Sequence, residues 1–332
     1  MFIVDSYSIA VLFLIITMLC WGSWANTQKL ATKSWPFQLY YWDYTIGTVI
    51  LAMVLGLTMG SYGNEGRSFL TDIMQADRDA MISAFIGGVI FNLANILLVV
   101  AIDIVGLAVA FPIGIGLALI IGVLVNYIAT PLGDPLLLFI GVGLVSIAIV
   151  LDAIAESRVK RSVSSFKGIS ISILAGILMG FFFRFVAASV STNFSNPEVG
   201  LMTPYGAVFV FSIGVLLSNF IWNTYFMYNP VGGERVSYKQ YFRDGNFRLH
   251  SIGILGGIIW GIGMLFSMIA SEKAGFAISY GLGQGATMVA AAWGVFIWNE
   301  FADAPKGTNK LIGFMFFFFI AGLGLIIISR VV

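Results

Sequence analysis

The stretch GGVIFNLANILLVVAIDIVGLAVAFPIGIG, Gly87–Gly116, recurs in altered form as GGIIWGIGMLFSMIASEKAGFAISYGLGQG, Gly256–Gly285. A constant offset of 169 residues, without gaps, pairs Gly87 with Gly256, Gly88 with Gly257 and Ala101 with Ala270. The same offset pairs Gly106 with Gly275, Gly114 with Gly283 and Gly116 with Gly285, and sets Phe91 on Trp260 and Phe111 on Tyr280. Each copy is long, apolar and broken once by a short polar turn, around Asp103 in the first and Lys273 in the second. Each therefore predicts an antiparallel hairpin of two membrane-crossing helices. Internal repetition of this kind marks secondary transporters, whose solute site lies between the halves near the middle of the bilayer.

Composition agrees with a chain that lives in lipid. Of 332 residues, 59% are hydrophobic and only 10% charged, and the mean hydropathy is +0.96. Soluble domains carry about 25% charged residues. The net charge of +1 speaks against nucleic acid as a partner. The single cysteine, Cys20, excludes an internal disulfide framework and a cysteine-ligated zinc site, and reads as core packing. The single histidine, His250, falls in a basic loop beside a helix start and leaves no HExxH motif. No GxxxxGK[ST] occurs, and the GxG spacings have no βαβ unit around them, so no cofactor is expected. The N-terminal apolar run, Tyr7 to Trp24, is too long for a cleaved signal and lacks a basic leader.

Apolar runs of about 20 residues predict ten helices, near 6–30, 37–60, 80–102, 105–128, 135–154, 167–190, 200–226, 249–271, 274–298 and 308–330. Positive charge orients them. One side collects Lys29, Lys33, Arg158, Lys160, Arg161, Lys167, Arg235, Lys239, Arg243, Arg248, Lys306 and Lys310; the other has Arg67, Arg78, Lys273 and Arg330. The richer side is expected in the cytoplasm, with both termini outside a cytoplasmic membrane crossed many times. Five helices per half is an odd number, so the second half enters from the opposite face. The expected fold is thus an all-α integral membrane protein of ten transmembrane helices in two inverted five-helix repeats. The first spans 1–155 and the second 167–332, joined by a basic cytoplasmic linker over 156–166.

A charged side chain at bilayer depth costs about 2.5–3.5 kcal/mol on insertion scales and asks for a partner or a wet cavity. Arg184, in GFFFRFVAAS, reads as a clamp on a polar solute, or as a structural ion pair or a side chain reaching for the headgroups. Asp43, among Tyr41, Trp42 and Tyr44, reads as a proton-responsive carboxylate or an interfacial residue of an aromatic belt. Glu300 is a weaker candidate for proton coupling, and Asp103 and Glu272 read as turn residues. Asn26, Asn92, Asn95, Gln284 and Thr287 could hydrogen-bond a solute without needing its charge. Trp21, Trp24, Phe111, Trp260 and Tyr280 could stack on a ring. The plainer reading of these residues is helix packing, in which amides and glycines hold transmembrane helices together.

The segments WGSWANTQK (21–29), YYWDYTIG (40–47), 92–122 and 260–300 resemble the drug/metabolite transporter superfamily. Within it they are similar to the branch holding bacterial glucose/ribose uptake permeases, the L-rhamnose–proton symporter and plant ureide permeases. Trp42–Asp43–Tyr44 is similar to the ureide permeases in particular. The resemblance implies ten helices in two halves and import of a sugar, nucleoside or ureide-type heterocycle, usually coupled to protons. The plant proteins carry a long central cytosolic loop with a phosphate-loop-like motif, where this chain has a short basic linker. Other branches of the superfamily imply an alternative, export of amino acids or amphiphilic metabolites. An intramembrane enzyme would need a nucleophile–base pair or a metal set at membrane depth, which one loop histidine and one cysteine do not supply. A passive receptor or scaffold would gain no evident benefit from an inverted repeat.

Overall fold

The computed structural model describes residues 1–31, 35–159 and 165–332. Lys33, Lys160, Arg161 and the middle of the expected linker, 160–164, lie outside the described residues. The regular elements among the described residues are helices: α1 (Tyr7–Ser23), α2 (Ala25–Ala31), α3 (Phe37–Leu57), α4 (Phe69–Gln75), α5 (Arg78–Val105), α6 (Leu107–Ala129) and α7 (Pro135–Ser157). It continues with α8 (Phe166–Ala188), α9 (Pro204–Tyr228), α10 (Tyr238–Asp244), α11 (Phe247–Ala274), α12 (Phe276–Gly283), α13 (Ala286–Ala292) and α14 (Thr308–Ile328). Counting α1 and α2 as one rod, nine helices among the described residues are long and apolar enough to cross a membrane.

The segment expected as a further single span, 274–298, is interrupted. Glycine is the physical reason. With Gly281, Gly283 and Gly285 in quick succession the helix loses regularity, and α12 stops one residue before Gln284. The backbone tightens there: the Gly285 N–H donates to the Leu282 carbonyl at 2.9 Å and the Thr287 N–H to the Gln284 carbonyl at 3.1 Å. After α13 the turn widens into a π-helical stretch, Trp293–Ile297. In the companion hairpin, Pro112 sits inside α6. Its missing N–H leaves the Ala108 carbonyl without its usual helical donor.

Helix pairings come in matched sets. α5 packs against α8 and α9, and α11 packs against α1 and α3. α6 lies on α8, while α12 and α13 lie on α1; α7 meets α14, and α3 meets α9. Close approach is made by small residues, because lipid offers no hydrophobic drive between helices. A Cβ on Gly88 would strike the Phe211 carbonyl of α9, and one on Gly257 the Tyr44 carbonyl of α3. In return, Gly214 lies on the Phe85 carbonyl and Gly47 on the Ile254 carbonyl. The hairpin bends use the same device: Gly106 has φ 81°, ψ 161° and Gly275 has φ 84°, ψ 152°. That conformation is essentially closed to residues with a Cβ.

Three local expectations change. His250 is helical, not in a loop, because the Asn246 side chain accepts the Leu249 N–H and starts α11 early. Asp103 and Glu272 lie in the last turns of α5 and α11, just before those bends. Large apolar side chains such as Leu12, Ile50, Ile128, Phe220, Phe317 and Ile320 stay exposed around the bundle. A belt of this kind belongs against acyl chains.

The two ends of the bundle differ. At one, the Met1 ammonium donates to the Glu65 carbonyl, Arg67 to the Pro197 and Leu201 carbonyls, and Tyr205 to the Phe2 carbonyl. The C-terminus joins this end, where Arg330 Nε donates to the Lys273 carbonyl at 2.8 Å. Lys29, Glu300, Tyr241 and His250 sit at the opposite end.

Candidate functional site

The loosened segments meet at a cavity of about 180 Å³. α1 and the residues after it supply Trp21, Gly22, Trp24 and Ala25. α5 supplies Phe91, Asn95 and Leu98, and α6 supplies Phe111 and Ile115. Met179, Phe182, Trp260, Gln284, Ala286, Thr287 and Ala290 complete the wall. None of these side chains carries a charge. The helices arrive here because the glycine contacts described above bring α5 and α11 close to their neighbours, leaving a space where larger side chains meet.

Aromatic rings close the end of the cavity toward Met1. Phe91 and Trp260 lie 4.4 Å apart, Phe91 and Phe182 5.0 Å, and Phe211 stacks on Trp260 at 5.9 Å and 20°. Phe91 and Trp260 are counterparts under the 169-residue offset, so at this point the two copies touch through equivalent residues. Trp21 stacks on Trp260 at 5.8 Å and 12°, and its indole N–H donates to the Trp260 carbonyl at 3.2 Å.

Toward the basic end the cavity runs on into a second space of about 260 Å³, which shares Gly22, Ala25, Phe111, Thr287 and Ala290 with it. This vestibule adds Asn26, Lys29, Asp152, Glu156, Trp298 and Glu300. Lys29 pairs with Glu300 at 2.7 Å and lies 4.1 Å over the Trp298 ring. The Trp298 indole donates to Asn26 Oδ1 at 2.7 Å, and the Trp293 indole to Ser23 Oγ at 2.8 Å. The ends of α1 and α2 are thus tied to the π-helical exit of the broken segment.

The candidate residues divide by place. Trp21, Trp24, Asn95, Phe111, Trp260, Gln284 and Thr287 line the central cavity. Asn26 and Glu300 line the vestibule. Asn92 is fully buried and donates to Ser218 Oγ at 2.9 Å, joining α5 to α9. Tyr280 donates to the Met179 carbonyl at 3.0 Å, with its ring against Gly122. Arg184 is half-buried on α8 and lines neither space.

Asp43 lies apart from the cavity, 1% exposed, and two helices and the residue Trp35 ahead of α3 converge on it. Its Oδ1 accepts from Tyr241 of α10 at 2.5 Å and lies 2.8 Å from His250 Nδ1 of α11. Its Oδ2 accepts from the Trp35 indole at 3.2 Å. Burial, together with bonding to the Asp43 carboxylate, pushes the Tyr241 hydroxyl well above its usual range, so it stays a donor at physiological pH. Sequence reading did not find Trp35, Tyr241 and His250 as a group. The one signal available was a lone histidine near a helix start in a chain with no other.

An apolar bundle with a central uncharged cavity opening to one end defines a multi-pass membrane permease. The ureide permease family profile matches residues 40–165 and 157–329, and the chain belongs to that family. Similar proteins include Ureide permease 1 of Arabidopsis thaliana, 24% identical over 388 residues covering 99% of each chain. Probable ureide permease A3 of Vigna unguiculata is 24% identical over 371 residues, covering 91% of this chain and 97% of its own. A shorter likeness is to the Probable glucose uptake protein GlcU of Staphylococcus aureus (strain MRSA252), 36% identical over 63 residues and 19% of this chain. Among solved structures, one crystal structure shares the fold with a TM-score of 0.60 at 13% identity, covering 97% of this chain and 98% of that one.

Proposed function

We propose that the protein is a secondary active transporter, of the drug/metabolite transporter type, that imports a small neutral ureide-type solute by alternating access with protons as the coupling ion. The observation that carries this reading is the cavity: uncharged, flanked by indole and amide groups, and bounded where Phe91 meets its counterpart Trp260. In the relatives, the word ureide stands in the name. The broken segment 276–297 serves as the ninth crossing of ten, and the halves 1–155 and 167–332 are inverted copies. The matched pairings of α5 with α8 and α9 and of α11 with α1 and α3 support that symmetry. The basic end faces the cytoplasm of the cell membrane by its excess of Lys and Arg, which puts both termini outside and the vestibule inside. Asp43, with His250 at 2.8 Å, is the proton-responsive group.

The test is uptake of a labelled cyclic ureide, allantoin, into proteoliposomes under an imposed proton gradient. Accumulation that collapses with a protonophore supports the reading. Absence of any gradient-driven accumulation sinks it. Replacing Asp43 with Asn removes the pH dependence of uptake if Asp43 carries the proton; an unchanged pH profile refutes that role. The short likeness to a glucose uptake protein favours one second reading, a neutral sugar, so glucose is run as a competitor.

A further inference from the structure

Gln284 is the first of the two residues between α12 and α13, in the wall of the central cavity. Its backbone is satisfied: the N–H donates to the Tyr280 carbonyl, and its own carbonyl accepts from the Thr287 N–H and hydroxyl. Its side chain is not. At 8% exposure the residue is more than nine-tenths buried, and its carboxamide makes no hydrogen bond within the described residues. An amide without a protein partner is unfavourable in a largely buried setting unless something else pairs it, and this one lines the cavity. A fold that keeps one facing a cavity is suited to a ligand that pairs it.

The complementary chemistry follows from the group. A carboxamide presents one N–H donor and one C=O acceptor side by side in a plane. A cis –NH–C(=O)– edge, as in a lactam or cyclic urea, presents the same two groups in reverse order and forms two parallel hydrogen bonds at once. A sugar hydroxyl pair lacks the planar donor–acceptor edge. The wall holds a second acceptor as well. Asn95, 7% exposed, spends its N–H on the Tyr41 hydroxyl at 3.0 Å and keeps its carbonyl oxygen free. The Trp21 and Trp260 rings supply flat apolar faces beside these groups. The wall carries no charge to compensate an anion or a cation.

We propose that Gln284 is the specificity-determining residue of the cavity, reading the cis-amide edge of a neutral planar ring through a paired hydrogen bond, with Asn95 accepting a further ring N–H. This rests on the reading of the central cavity as the solute site. Hydantoin and 1,3-dimethylhydantoin are the probes, because methylation removes every N–H and keeps the ring and both carbonyls. Binding to the full-length purified protein is measured by calorimetry, with the wild type beside Gln284→Leu and Gln284→Asn.

Hydantoin is expected to bind the wild type roughly 30–100-fold more tightly than its dimethyl analogue, the scale of two net hydrogen bonds. Gln284→Leu is expected to cut that discrimination to roughly the 5–10-fold that the Asn95 contact alone supports, weakening hydantoin more than its dimethyl analogue, and Gln284→Asn, with the amide set back by one methylene, restores part of it. Equal weakening of both probes by Gln284→Leu, or undiminished discrimination, overturns the role of Gln284 while leaving the transport reading intact. Should the leucine variant fail to fold, the asparagine variant and the wild-type ratio between probes still decide. Wild-type protein that binds neither probe and accumulates no ureide overturns the transport reading itself.

Discussion

At the residue scale, the cluster around Asp43 is a test of how a buried carboxylate is kept. Three side chains, two of them assigned donors, reach it from residues 8, 198 and 207 positions away. Hydrogen bonds to charged groups contribute about 1.5–3 kcal/mol, and shorter, better aligned bonds contribute more. Tyr241→Phe deletes the 2.5 Å bond and keeps the ring, so it should destabilise the protein by about 2 kcal/mol. Trp35→Phe deletes the longer 3.2 Å bond and should cost about 1 kcal/mol in hydrogen bonding, beyond any packing loss. Denaturant titration in detergent, followed by tryptophan fluorescence for Tyr241→Phe and by circular dichroism for Trp35→Phe, gives the order. A reversed order would mean that Trp35 rather than Tyr241 anchors the carboxylate. No periodicity links Tyr241 or His250 to Asp43, and Trp35 lies before the start of α3, outside its helical repeat, so the sequence singled out Asp43 but not its partners. Arg184 illustrates the converse: the cost of a charge at depth made it conspicuous, while its half-burial away from both cavities follows from the rotation of α8, which composition does not encode.

At the scale of elements, some of the glycines that carry the 169-residue repeat, Gly88 and Gly257 above all, are positions where one helix backbone rests on another. Gly88 and Gly257 are equivalent under the offset, and each is blocked by a carbonyl of a different neighbour, Phe211 on α9 and Tyr44 on α3. Forcing a methyl group between packed backbones costs about 1–3 kcal/mol. Gly88→Ala and Gly257→Ala should therefore destabilise by similar amounts, each lowering the melting temperature in detergent. Gly116→Ala meets nothing within 4 Å and should be neutral or mildly stabilising, since alanine favours helix by up to about 1 kcal/mol over glycine. Marked asymmetry between Gly88→Ala and Gly257→Ala would argue against equivalent roles for the two hairpins. The repeat was readable because close backbone contact needs glycine and leaves it at a fixed spacing. The interruption at Gln284 was less readable, because clustered glycines signal a loosened helix without stating whether it bends, as α6 does around Pro112, or breaks.

At the scale of the whole molecule, the path from the cavity leads toward the basic end through the vestibule, while the other end is shut twice. The rings of Phe91, Phe182, Phe211 and Trp260 form one closure. Beyond them Glu272, at the tip of the second hairpin, accepts the Phe194 N–H at 3.2 Å and so holds that tip to the segment between α8 and α9. Asp103 is its equivalent under the offset, at the tip of the first hairpin, where it lines an open cleft of about 520 Å³ beside the start of α3. Under the proposed alternating access, the state described is the one open at the basic end. A single cysteine at Ala290, which lines both cavity and vestibule, placed in a protein whose Cys20 has been changed to Ser, should react with a membrane-impermeant maleimide from the basic face and resist it from the other. Adding Glu272→Ala removes the tie to Phe194 and leaves the aromatic closure alone to hold that end. Because a ligand-free carrier distributes between states by their relative free energies, loss of a contact made in one state alone shifts the population toward the other. Loss of one such hydrogen bond, about 1.5–3 kcal/mol for a charged acceptor, corresponds to roughly a 10–150-fold shift in that equilibrium. Labelling of the Ala290 cysteine from the face that carries Met1 should rise accordingly, while labelling from the basic face falls. If the substitution leaves both rates unchanged, Glu272 does not hold the closure at the Met1 end, and the rings alone bear it.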